Sequence, residues 1–168
     1  NEDNGWNVLP ERVSKYNSAF VENEIQIGYT AALSTLSNMR GFDASDIQLI
    51  IYDEFIPERH ERPIKGEGAA FLNAFETINR NRELKGDQPV QVVCMANAFN
   101  IANPLFMELG LVGIAEKMKE RKQELYINRE RSILIAMPTS AKITNMKSKT
   151  ALYKLTRGSQ FEQMALKN

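Results

Sequence analysis

Hydrophobic and polar positions along the chain fall into short apolar runs alternating with longer segments of helical period. The runs "IQLIIYDE" (47–54) and "PVQVVCMANA" (89–98) are short and almost unbroken. Such runs predict strands buried on both faces, as in a parallel sheet. "IQIGYTAALSTL" (25–36) alternates loosely and carries β-branched residues, and "RSILIAMP" (131–138) is a further apolar run, so both are read as strands. "GAAFLNAFETINRNRE" (68–83) places Phe71, Leu72, Phe75 and Ile78 at helical spacing, a helix of about four turns with these residues facing a core. "NPLFMELGLVGIAEKMKERKQ" (103–123) is read as helical in two pieces around Gly110. The tail from Thr139 is read as mostly helical. The stretches 37–46, 55–68 and 84–88 are polar or rich in proline and glycine and are read as loops. Residues 1–24 are read as an irregular segment with a weak apolar pattern at Val13, Tyr16 and Phe20.

Strands alternating with helices predict an α/β fold with a mainly parallel sheet. No repeat or long linker divides the chain, so residues 1–168 are expected to form a single domain. Hydrophobic residues make up 43% and charged residues 25%, as in ordinary globular proteins. The formal net charge is zero, so no whole-chain field favours nucleic acid or a membrane surface. Cys94 is the single cysteine and cannot form an internal disulfide, which fits a cytosolic protein. No apolar run approaches the roughly 18 residues of a membrane span. The chain begins at Asn1 without a start signal and is expected to be a piece of a longer protein.

The sharpest chemical signal is the end of the first unbroken run, where Asp53 and Glu54 stand side by side. Ligands of parallel α/β sheets bind beyond the carboxyl ends of the strands. Two adjacent acids there repel each other unless a cation or a polarised water shares the site. Nucleotide hydrolysis uses this arrangement: the first acid holds magnesium, and the second orients or deprotonates the attacking water. An apolar strand ending in Asp-Glu is thus the Walker B pattern of additional-strand P-loop NTPases. The same pattern also describes strands that simply run out into solvent.

Two further features lie at the right places. The second unbroken run ends in Asn97, which could sense a γ-phosphate from the neighbouring strand or merely form a turn. Arg80 and Arg82 follow the intervening helix. Either could be a solvated helix-end cation or an arginine finger offered to a neighbouring subunit's nucleotide. No G-x-x-x-x-G-K-[ST] phosphate loop occurs in the chain, and "KGEGAAF" lacks the lysine and lies downstream of the acids.

"IIYDEFIPE", "FLNAFETINRNRE" and "VCMANAFNIANPLF", in that order and spacing, resemble the DNA-packaging ATPase, or DNA encapsidation protein, of small protein-primed tailed phages. That family is related to terminase large subunits. "IGYTAALSTLS" and "ALYKLTRGSQFEQMALKN" also look like its segments, so the resemblance covers the chain from about residue 25 onward. The resemblance implies an ATP-hydrolysing motor of RecA- or terminase-like P-loop fold, working in the host cytoplasm as a homo-oligomeric ring. Such a motor drives double-stranded DNA through a portal into a prohead. On this likeness Asp53 and Glu54 match the Walker B acids, with Asp53 toward ATP and Mg2+. Arg80 matches the arginine acting in trans, and Asn97 lies in the sensor or coupling segment. The chain then corresponds to the C-terminal part of an ATPase domain lacking its phosphate loop, and alone it is not expected to hydrolyse ATP. A helicase or other RecA- or AAA-type fragment, and a non-enzymatic binding module, are the rival readings.

Other residues read as structural. Cys94 lies mid-strand and suits a core position. His60 has no Cys or His neighbours for a metal, and Trp6 is either an anchor or an exposed ring. The tail carries Lys142, Lys147, Lys149, Lys154, Arg157 and Lys167 against Glu162, which suits a solvated face or contact with DNA phosphates.

Overall fold

The computed structural model describes residues 8–13, 17–35, 44–56, 65–97, 100–138, 145–159 and 161–162. They divide into two compact units, Asn1–Tyr52 with Pro63–Val93 and Asp53–Arg62 with Cys94–Asn168. His60, Trp6, Lys142 and Lys167 lie outside the described residues.

The first unit opens with an antiparallel meander of β1 (Val8–Arg12), β2 (Asn17–Glu22) and β3 (Ile25–Ala31). Asn23 and Glu24 turn β2 into β3 with φ of 50° and 67°. Two consecutive left-handed residues make the tight turn whose twist matches a hairpin. A register irregularity between Phe20 and Val21 bends β2, and Ala19 is buried. The N-terminal segment expected to be irregular therefore contains two strands. Its weak pattern hid them because Leu9, Val13 and Phe20 remain exposed, so no face reads as a core stripe.

β4 (Leu49–Asp53), α1 (Glu67–Asn79) and β5 (Gln91–Met95) follow. The backbone N–H of Gln91 donates to the Gln48 carbonyl at 2.9 Å, and that of Phe55 to the Met95 carbonyl at 3.3 Å. Entry pairs with entry and exit with exit, so β4 and β5 run parallel, as their apolar runs and intervening helix require. α1 buries Phe71 and half-buries Leu72, Phe75 and Ile78. It begins after Gly66, which is left-handed at φ 67°. At its end, the Asn79 side chain accepts from the Val90 N–H at 2.8 Å and ties the helix to the start of β5.

The second unit contains α2 (Pro104–Glu108), α3 (Val112–Glu120) and the hairpin β6 (Leu125–Asn128) to β7 (Ile133–Ala136). Leu111, Met118 and Ile135 form its buried centre, with Phe106, Leu109, Ile114 and Tyr126 packed around them. The fully buried Asn103 caps α2 by accepting from Phe106 N–H at 2.9 Å, with Pro104 at the first helical position. Gly110, at φ 66°, separates α2 from α3 where the sequence predicts a break. From the tail, the short helical turn Ala151–Leu155 is described.

The fold is mixed α/β, and its sheets differ from the mainly parallel one expected. β4–β5 is a parallel pair, whereas β1–β3 and β6–β7 are antiparallel. The reason lies in the connections. A two-residue turn at 23–24 and a four-residue turn at 129–132 can only reverse the chain, because a parallel crossover needs a dozen residues or more. The β4 and β5 runs are also not buried on both faces: Leu49 is 47% exposed, Ile51 58% and Val93 44%. On β4 the alternate residues Ile50 and Tyr52 are the half-buried ones. Tyr52 turns to α1, where its ring stacks on Phe71 with centroids 4.7 Å apart. The strand thus has one covered face, and its continuous hydrophobicity overstates its burial. Among the described residues no helix is long and apolar enough to cross a membrane.

Candidate functional site

Asp53 is the last residue of β4 and Glu54 the first beyond it, and both are exposed. Glu54 is left-handed, with φ 53°. A non-glycine residue in that region costs roughly 1–2 kcal/mol and turns the chain sharply out of the strand. The turn is braced locally: Glu54 N–H donates to Asp53 Oδ1 at 3.0 Å. One Asp53 oxygen is thereby engaged with backbone, and no hydrogen bond from a described residue engages its Oδ2 or the Glu54 carboxylate.

Asn97 lies two residues past the end of β5 and is exposed. Phe55 N–H reaches the Met95 carbonyl, so Glu54 and Asn97 leave the carboxyl edge of the same parallel pair. The acid pair and the polar strand end expected from sequence are therefore brought to one edge within the second unit. The buried asparagine nearby in sequence is Asn103, whose side chain is occupied in capping α2 and in donating to the Ile101 carbonyl at 3.2 Å.

The arginines belong to the first unit. Arg80 caps the C-terminus of α1, with φ −21° and ψ 107°, and is exposed. It makes no hydrogen bond to another described residue. Arg82 is half-buried and its Nη2 donates to the carbonyls of Ala44 at 2.8 Å and Ser45 at 3.1 Å. That turn leads into β4, and it is further tied by the Tyr29 hydroxyl donating to Asp46 Oδ2 at 3.3 Å. Of the two arginines left open by the sequence, Arg82 is committed to holding backbone, whereas Arg80 makes no such bond among the described residues.

Two residues escaped the sequence reading. Tyr52, immediately before Asp53, donates its hydroxyl to Glu67 Oε1 at 2.5 Å, and Glu67 is only 7% exposed. The available signal was a carboxylate between Gly66 and Gly68 at a helix start, which is weak because acids are common there on dipole grounds alone. Cys94, half-buried in β5, has its thiol pushed up to about 11 by burial, which suits packing and not nucleophilic work. In the tail, Lys147, Lys149, Lys154 and Arg157 are exposed. Glu162 accepts from the Gly158 N–H at 2.5 Å.

The mixed α/β chain thus carries a pair of exposed acids at the exit of a parallel strand pair. The profile of the podovirus DNA encapsidation protein (Gp16) matches residues 10–168, and the chain belongs to that family. The DNA packaging protein of Bacillus phage phi29 is 28% identical over 159 residues, covering 94% of this chain and 44% of the relative. That of Bacillus phage B103 is 32% identical over 142 residues, covering 84% of this chain and 40% of the relative. The chain thus spans less than half the length of these relatives. The crystal structure of the N-terminal domain of the DNA packaging ATPase from bacteriophage phi29 superposes with a TM-score of 0.62 at 25% identity, over 84% of this chain and 64% of that one.

Proposed function

We propose that this chain is the acid-bearing part of an ATP-hydrolysing motor that moves double-stranded viral DNA into a prohead, acting within a homo-oligomeric ring. The observation that carries the reading is the exposed Asp53–Glu54 pair at the carboxyl edge of β4, beside its parallel neighbour, in a member of the DNA encapsidation family.

The donor set suits magnesium, a hard cation that takes one or two carboxylates together with substrate phosphates. Asp53 Oδ2 is the oxygen left over after the local hydrogen bond, and Asp53 is the residue that would hold the ion. The bound ion would offset negative charge on the phosphate oxygens. Glu54 is turned away from the strand axis by its left-handed backbone and serves as the base that orients or deprotonates water. Asn97, on the same edge, positions that water or senses the terminal phosphate. Arg80 extends to a neighbouring subunit's nucleotide, where a guanidinium stabilises the charge of the transferring phosphoryl group. The exposed Lys147, Lys149, Lys154 and Arg157 supply a basic tail for DNA phosphates.

The test is made in the whole protein carrying this chain. Glu54→Gln is expected to retain nucleotide binding and to lose hydrolysis on the order of 10²-fold or more, and Asp53→Ala to lose magnesium-dependent turnover. Near-normal turnover in Glu54→Gln would leave the acids as a strand end and favour a non-enzymatic binding module.

A further inference from the structure

The side chain preceding the acid pair is anchored more firmly than the acids themselves. The Tyr52 ring lies flat on Phe71, 4.7 Å between centroids and 18° between planes. Its hydroxyl donates to Oε1 of the buried Glu67 in the first turn of α1. A carboxylate so removed from water needs a donor, and the phenol provides one. Successive side chains of a strand leave opposite faces. Tyr52 and Asp53 therefore leave opposite faces of β4, and the left-handed Glu54 turns the chain one residue later.

We propose that Tyr52 and Glu67 are positioning residues for the acid pair: Glu67 holds the Tyr52 hydroxyl, Tyr52 holds the last turn of the strand, and the directions of the Asp53 and Glu54 carboxylates follow. The proposal rests on the hydrolytic reading of Asp53 and Glu54. It assigns neither Tyr52 nor Glu67 any contact with nucleotide. The pair acts through the backbone, so its loss should affect the chemical step and the metal more than substrate affinity.

The experiment is steady-state ATP hydrolysis by the whole protein, with magnesium titration and thermal melting for each variant. Tyr52→Phe keeps the ring on Phe71 and removes only the donor. Glu67→Gln keeps an acceptor oxygen, whereas Glu67→Ala removes it. Misplacing a reacting group by a fraction of an ångström to an ångström costs about 10–100-fold in rate, so Tyr52→Phe and Glu67→Ala should lower kcat by about tenfold or more. KM for ATP should stay within about twofold, and the magnesium concentration for half-maximal rate should rise. Glu67→Gln should recover most of kcat. The double variant Tyr52→Phe with Glu67→Ala should be no worse than the poorer single, because both break one link.

A purely structural pair would instead lower the melting temperature and the active fraction while leaving kcat per folded molecule and the magnesium requirement unchanged. That result would overturn the proposal, as would an unchanged kcat in Tyr52→Phe, the variant least disruptive to packing. Glu54→Gln run alongside separates the two levels. If it is inactive while Tyr52→Phe is normal, the positioning role alone falls. If it turns over normally, the hydrolytic reading falls and the positioning role with it.

Discussion

Replacing Arg82 by alanine removes one guanidinium nitrogen from two backbone carbonyls, those of Ala44 at 2.8 Å and Ser45 at 3.1 Å. A hydrogen bond to a charged group contributes about 1.5–3 kcal/mol net when well buried. Three features reduce that figure here. Both bonds come from one nitrogen, the side chain is only half-buried, and the Ala44 carbonyl keeps the Ile47 N–H as a second donor at 3.2 Å. The expected loss is therefore about 1–2 kcal/mol, or roughly 3–6 °C in melting temperature for a chain of this size. Arg80→Ala, at an exposed position without such bonds among the described residues, should change stability by less than about 0.5 kcal/mol. Activity should divide the other way. In the whole protein, Arg80→Ala should lose about 10³-fold in turnover if it acts as a finger, while Arg82→Ala loses far less per folded molecule. Mixing Arg80→Ala with Glu54→Gln subunits should restore some hydrolysis at interfaces that pair an intact acid site with an intact arginine. The assays are urea or thermal unfolding for stability and ATPase rate against mixing ratio for activity. Wild-type stability in Arg82→Ala, or greater destabilisation in Arg80→Ala, would refute the structural division. A strictly additive mixing curve would refute action in trans.

Glu24 occupies the second left-handed position of the β2–β3 turn, where glycine is the favoured residue. Glu24→Gly is expected to raise the urea midpoint by the equivalent of about 0.5–1 kcal/mol; an unchanged or lower midpoint would contradict the strain argument. Cys94, with its thiol pushed up to about 11, should react with iodoacetamide at pH 8 on the order of 10²-fold more slowly than a free cysteine. Its rate should rise about tenfold per pH unit until pH approaches 11, so a profile that levels near the ordinary thiol value would refute burial of the thiol.

The local elements of the middle of the chain were legible in the sequence because each carries its own period or stop signal. Phe71, Leu72, Phe75 and Ile78 announce α1, Gly110 divides α2 from α3, and two unbroken apolar runs announce β4 and β5. The acids at the end of β4 and the asparagine beyond β5 are positions along the chain, so the sequence could place them at strand ends. It could not show which strands pair or how. That depends on turns such as Asn23–Glu24, whose left-handed residues reverse the chain although neither is glycine. Nor could it separate Arg80 from Arg82, two residues apart, because only the fold brings the Ala44 and Ser45 carbonyls to one guanidinium. The Tyr52–Glu67 bond joins residues 15 positions apart across a loop, and no local pattern encodes it. Periodicity reports the average environment along one element. Hydrogen bonds between elements depend on the approach of groups distant in sequence, and that approach is fixed only when the whole unit packs.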